Sequence, residues 1–314
     1  MCTVSLGAGL LSLLCSFMLL SSAAAQSPDA ENPEFRALVP AGATVEKLVG
    51  DFQFTEGPAW NPVHGFLVFS DIPASRMFRY DAALRKAEVF RDPSEHANGN
   101  FYDAAGVLYT CEHGARRVSV QRADDGKVEV LVDRYEGKLF NSPNDIVVKS
   151  DGTIWFTDPT YGLDKRPREQ AANNVYCFDP KTRELRAVVS DFDEPNGLCF
   201  SPDETRLYIA DSGKPRDVRV FDVSSDDRLS NSRLFCTIDR GVPDGMRCDR
   251  YGNLFSTSGD SIQIFNPAGE RLGKIPVPET PANLCFGGPD WNELFITART
   301  SLYHVKLTTS AAGK

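Results

Sequence analysis

Apolar and polar residues alternate along this chain in short runs, the period-2 pattern of half-buried strands, while the 3.6-residue period of amphipathic helices is nearly absent. The runs come in sets. One set is Gly197-Leu198-Cys199-Phe200, a Ser201-Pro202-Asp203 turn, Leu207-Tyr208-Ile209, Val218-Arg219-Val220-Phe221 and Arg233-Leu234-Phe235. This reads as a hairpin followed by two more strands. Second strands of the same kind are predicted at 67–69, 108–110, 154–156, 254–256 and 294–296. Each set opens alike. Thr55-Glu56-Gly57, Ala97-Asn98-Gly99, Pro143-Asn144-Asp145, Pro195-Asn196-Gly197 and Pro243-Asp244-Gly245 place an oxygen side chain just before the first strand. Pro281-Ala282-Asn283 keeps the frame and loses the oxygen at that position.

Four strands in every 40–50 residues or so is the signature of a propeller blade. The sixth set lacks a fourth strand, and a spare strand at 45–49 precedes the first set. Joining the two closes the ring and removes an exposed sheet edge. The expected fold is therefore all-β: a six-bladed β-propeller over residues 45–307, four strands per blade, with the last blade closed by the N-terminal strand. An N-terminal extension (26–44) precedes it and a C-terminal tail (308–314) follows.

Residues 1–25 carry no charged side chain, are mostly apolar from Leu10 to Leu20, and end in Ala23-Ala24-Ala25. They read as a secretory signal peptide, although no Lys or Arg precedes the apolar core. The expected location is periplasmic or secreted. No later stretch is long and apolar enough to span a membrane. The net charge of -9 and the lack of a basic run argue against nucleic acid as a partner. Of eight Cys, Cys2 and Cys15 fall in the leader, and the other six form no CxxC pair, which disfavours a zinc-thiolate site. Cys199, Cys248 and Cys285 sit in apolar strands and read as buried free thiols.

In a propeller the first strand of each blade lines the axis. Glu56, Asn98, Asn144, Asn196 and Asp244 would then meet in one ring at a channel mouth. A single Asn-Gly or Asp-Gly is most often only a turn; five in register ahead of the inner strands point to a hard-cation site. Two carboxylates balance a divalent charge and amide carbonyls complete the shell, which suits Ca2+ first, with Mg2+, Mn2+ or Zn2+ as alternatives. A second ring, Asp71, Glu112, Asp158 and Asp211, returns to the same face, to orient ligands or to brace turns. His113 follows Glu112 within reach of the pocket. The longest insertion, 159–174, emerges on that face, as a cover for the pocket or as an ordinary loop. No G-x-S-x-G elbow or phosphate-binding glycine loop occurs, so metal-assisted hydrolysis is the chemistry expected.

Glu56-Gly57-Pro58-Ala59-Trp60, Phe69-Ser70-Asp71-Ile72-Pro73, Ser142-Pro143-Asn144-Asp145, Phe156-Thr157-Asp158-Pro159, Pro195-Asn196-Gly197-Leu198 and Pro243-Asp244-Gly245-Met246 resemble the gluconolactonase/regucalcin (senescence marker protein) family, especially bacterial gluconolactonases. The resemblance covers about residues 45 to 307. It implies a six-bladed propeller with one catalytic divalent cation. By motif position Glu56, Asn196 and Asp244 match metal ligands, Asn144 matches a residue touching substrate or metal, and Asp244 also matches the proton acceptor and donor. The implied reaction is hydrolysis of a small-molecule sugar lactone to the aldonic acid, with Asn144, Asn98 and His113 as candidate contacts for substrate; a monomer is the default expectation. The alternatives are a phosphotriesterase or aryl esterase, and a calcium- or ligand-binding propeller without turnover.

Overall fold

The computed structural model describes residues 1–3, 32–122 and 126–312. The leader at 1–25 therefore lies almost wholly outside the described residues. Among these residues the strands form six four-stranded antiparallel sheets arranged as a six-bladed β-propeller, plus one two-stranded hairpin. The inner strands are Thr55–Asn61, Ala97–Tyr102, Ile146–Val148, Pro195–Phe200, Met246–Cys248 and Pro281–Gly287. In blades one to five the strands follow in sequence order from the axis outwards. In the sixth, Glu46–Val49 takes the outer place and pairs antiparallel with Ser301–Lys306. The ring closes as the repeat count predicts, and each end of the chain covers the other's edge.

The apolar core is divided into seams between neighbouring blades. Leu67 and Phe69 of blade one pack with Phe295 and Leu302 of blade six, with Leu48 and Val49 of the closing strand against them. Trp155 and Val175 of blade three meet Leu198, Leu207 and Ile209 of blade four. Second strands such as Phe66–Asp71 are buried along their whole length because both faces meet another blade. Each of these large side chains contributes roughly 1.5–3 kcal/mol through burial. The seams give the inner strands a rigid frame, and so fix whatever those strands present to the channel.

The N-terminal extension holds a short helix, Pro33–Leu38, which the strand pattern does not foretell. Asn32 caps it, its side-chain oxygen accepting from the Glu34 and Phe35 amides, with Pro33 in the first turn. Phe35, Leu38 and Val39 dock into the seam between blades five and six. The tail returns beside it: Thr308 N donates to Leu38 O at 3.0 Å, and Thr309 Oγ1 donates to Asp249 Oδ2 at 2.8 Å. No helix among the described residues is long and apolar enough to cross a membrane. All the described cysteines are free thiols, including buried Cys199, Cys248 and Cys285; Cys199 Sγ and Cys248 Sγ are 3.9 Å apart.

Candidate active site

The acidic residues that end the second strands aim the opening residues. Asp71 accepts from the Gln53 and Phe54 amides, Asp158 from those of Asn141 and Ser142, and Asp211 from those of Asp193 and Glu194. In each blade these amides lie three and two residues ahead of the opening residue, Glu56, Asn144 or Asn196. This answers the choice left open for the second ring: these three brace the approach loops. Glu112, in the same place in blade two, pairs with Arg91 at 3.3 Å and with Arg117.

Thus held, the opening side chains converge. Asn98 Nδ2 donates to Asn144 Oδ1 at 2.7 Å, and Asn144 Nδ2 donates to Asn196 Oδ1 at 3.2 Å. Asn196 Nδ2 donates to Ser212 Oγ at 3.0 Å, and the Asn196 side chain also bonds Asp244. Glu56 lies close enough to Asp244 to raise its pKa. The blades can approach this closely because glycine follows the opening residue: a Cβ on Gly197 would lie 2.2 Å from Asp244 O. All six candidate residues, His113 included, are thus placed at one mouth of the channel.

Charge at this mouth is crowded. Burial is the main cause that lifts the Glu56 pKa to about 7, with Asp145 adding to it. Burial, then Glu56 and Asp145, push Asp244 well above the usual carboxylate range. His113 goes the other way, lowered to about 3 by burial and then by Arg166 and His96. Its Nε2 lies 3.0 Å from Asn98 Nδ2 and accepts from it, which places the imidazole proton on Nδ1.

The 159–174 insertion covers part of this mouth. Its 3-10 turn, Tyr161–Leu163, presses on His113 so closely that a Cβ on Gly162 would lie 2.5 Å from the ring's Cγ. Arg166 fastens it, donating to Gly114 O at 2.6 Å and His113 O at 2.8 Å. Gln170 Nε2 ties the far end to the carbonyls of Tyr135, Lys138 and Leu139. Tyr161 reaches Ser212, and its hydroxyl pKa is raised by burial, with Asp244 and Glu194 adding to it. Beside Asp244 opens a cavity of about 210 Å3 edged by Val242, Ser258, Thr280 and Pro281.

Two residues of the site escape sequence reasoning. Asn283 Nδ2 donates to Glu56 Oε2 at 3.0 Å, so the sixth blade does send a polar group to the ring, one position later than expected. Asp145, 1% exposed, stands where four other sets have glycine. The only signal for either was its place immediately after the opening position. The donor set fits a hard divalent cation: Glu56 and Asp244 supply charge, Asn144 and Asn196 neutral oxygens, and Asn98 Oδ1 is buried without a partner. Among the described residues no three His, Cys, Asp or Glu side chains cluster in a metal-holding group, so amide oxygens would complete the shell.

Fold and site together define a six-bladed propeller with an all-oxygen, cation-suited pocket at one end of its channel. The family model for the SMP-30/Gluconolactonase/LRE-like region matches residues 54–300, and the chain belongs to that family. It is similar to the gluconolactonase of Zymomonas mobilis, 32% identical over 88% of this chain and 85% of the relative. It is similar to the regucalcin of Xenopus laevis at 28% identity over 81% and 86%. Among solved structures, a gluconolactonase from Xanthomonas campestris superposes with a TM-score of 0.83 at 36% identity, over 88% of this chain and 93% of that one.

Proposed function

We propose that this chain is an exported, monomeric lactonase that hydrolyses a sugar lactone of the gluconolactone type to the aldonic acid, using one divalent cation, Ca2+ first among the candidates. The observation that supports it most directly is the linked array Asn98, Asn144, Asn196, Asp244 and Glu56 at one channel mouth, in a member of a family with relatives named gluconolactonase. Glu56, Asn196 and Asp244 would hold the cation with Asn144 beside them, and when bound it supplies Lewis acidity toward the lactone carbonyl.

The protein's own groups divide the remaining work. Asp244 takes the proton of the attacking water as the water oxygen bonds to the carbonyl carbon. It returns that proton to the ring oxygen as the acyl C–O bond breaks. Burial keeps His113 neutral near pH 7 and makes it a weak base, and its Nε2 already accepts from Asn98, so it serves as a hydrogen-bond partner. Asn98 Oδ1 is free to accept a substrate hydroxyl, and the polar wall of Asn98, Asn144, Ser212 and Tyr161 suits a polyol better than an aromatic ester. The test is acid release from D-glucono-1,5-lactone in a pH-stat, with chelator-stripped protein, divalent cations added back, and Asp244→Asn alongside. The expected outcome is cation-dependent turnover that falls at least a hundredfold in the variant. Cation binding without turnover on aldonolactones would leave a ligand-binding propeller in its place.

A further inference from the structure

The inner strands carry a second ring further along the channel. Three places after the opening position stand Ala59, Phe101, Val147, Cys199, Arg247 and Cys285, each paired with the same register position of its second strand. All six line a cavity of about 540 Å3 at the end of the channel remote from Glu56 and Asp244, where the turns joining first and second strands form the rim. Five of these positions carry apolar or thiol side chains, and Arg247 alone is charged. The cavity also has stiff aromatic walls. Trp60 stacks on Phe295 with ring centroids 5.6 Å apart, and Phe200 packs edge to face on Trp155 at 5.5 Å. Arg247 is held by one nitrogen only. Its Nη1 donates to Met246 O at 2.7 Å and to Leu198 O at 3.5 Å, and faces Asp145 Oδ2 at 3.6 Å. Nε and Nη2 have no partner among the described residues, and both lie open to the cavity. Asp145 thus balances the charge and leaves one edge of the guanidinium unmet. Such an edge takes a carboxylate through two parallel bonds, and donors left unmet among apolar walls are costly.

We propose that this cavity is a second binding site, separate from the lactone site, for a small aromatic monocarboxylate. The carboxylate takes the Nε and Nη2 donors of Arg247, and the aromatic body lies along the Trp60 and Phe200 walls. The volume is in the range that holds a small organic molecule. One negative charge fits and two do not. Lys149, the other cation on the wall, is already taken by Asp151 and Asp227. The carboxylates on the wall, Asp103 and Glu204, sit in the rim turns and accept from backbone amides there. A phosphate dianion would therefore meet a single guanidinium that Asp145 already offsets. The inference does not depend on the lactonase reading.

The test titrates 2-naphthoate and its uncharged counterpart 2-naphthamide into the protein, by calorimetry and by tryptophan fluorescence. Trp60 and Trp291, two of the three tryptophans, line the cavity and report on its filling. Naphthoate binds saturably and at least about tenfold more tightly than the amide. Arg247→Met abolishes that preference. Arg247→Lys keeps the charge but not the fork, and retains only part of it. Asp244→Asn leaves naphthoate binding unchanged, which sets it apart from the lactone site. If circular dichroism finds Arg247→Met unfolded, the acid and amide titrations of the unaltered protein, with Arg247→Lys, decide the matter. An amide that binds as tightly as the acid, or no saturable binding of naphthoate at millimolar concentration, overturns the inference. So does loss of naphthoate binding in a folded Asp244→Asn protein, which would put the ligand at the other mouth.

Discussion

Without a cation, Glu56 is a carboxyl group buried beside two others, and the cost of ionising it is measurable as a pH dependence of stability. Its pKa is raised from 4.5 to about 7. At 1.36 kcal/mol per pH unit, the native state holds the proton with an advantage of about 3 kcal/mol over the unfolded chain. The sign follows from the direction of the shift. A carboxyl with a raised pKa contributes its full stabilisation below the unfolded value near 4.5, and loses it as pH rises through about 7. Glu56→Gln removes this share, together with the part of the Asp244 shift that Glu56 causes: the amide oxygen can still accept from Gly57 N and Asn283 Nδ2, but cannot ionise. Asp158, raised to about 7, acts in the same sense, and His113, lowered from 6.5 to about 3, in the opposite one. Both are present in each protein and largely cancel in the difference. Urea unfolding in chelator at about pH 5 and about pH 7.5 is the assay. The unaltered protein loses about 2 kcal/mol relative to the Gln variant across that interval, most of the full advantage. Excess divalent cation reverses the trend, because it binds the ionised form of the native state alone. A difference that is flat with pH, or that grows in favour of the unaltered protein without cation, would refute the account of Glu56.

Two substitutions probe the frame around the site. Gly197→Ala drives a methyl group to 2.2 Å from Asp244 O across the seam between blades four and five; the expected loss, read from the urea midpoint, is about 2 kcal/mol or more, and a neutral result would mean the blades can part there cheaply. Arg166→Ala removes the donors that fasten the insertion to Gly114 O and His113 O; KM for the lactone should rise several-fold with little change in kcat, and an unchanged KM would place the insertion outside the substrate's surroundings.

The parts of this molecule that repeat were legible, and the parts that depend on one neighbour were not. Period-2 runs and hairpin turns recur six times, so errors in any one set are corrected by the others, and the missing sixth outer strand points at once to residues 45–49. The ring of opening residues is legible for the same reason, since register alone brings Glu56, Asn98, Asn144, Asn196 and Asp244 to one end of the axis. Asn283 breaks the repeat: it sits one place past the frame, and only the approach of blade six to blade one turns its amide onto Glu56. The helix Pro33–Leu38 is too short to show a period, and its place is set by Phe35 docking between blades five and six. Asp145 and Arg247 show the limit most clearly. Each is an ordinary charged residue in its own set, nearly a third of the chain apart, and nothing in either local pattern names the other. They meet because inner strands of blades three and five face each other across a narrow axis. A closed ring therefore has two kinds of information in its sequence: periodic positions, which the repeat declares, and trans-axial pairs, which appear only when the ring is closed. The opening residues belong to the first kind, and the trans-axial pair of Asp145 and Arg247 to the second. That is why a reading of the repeat finds the ring of opening residues before it finds the pair that crosses the axis.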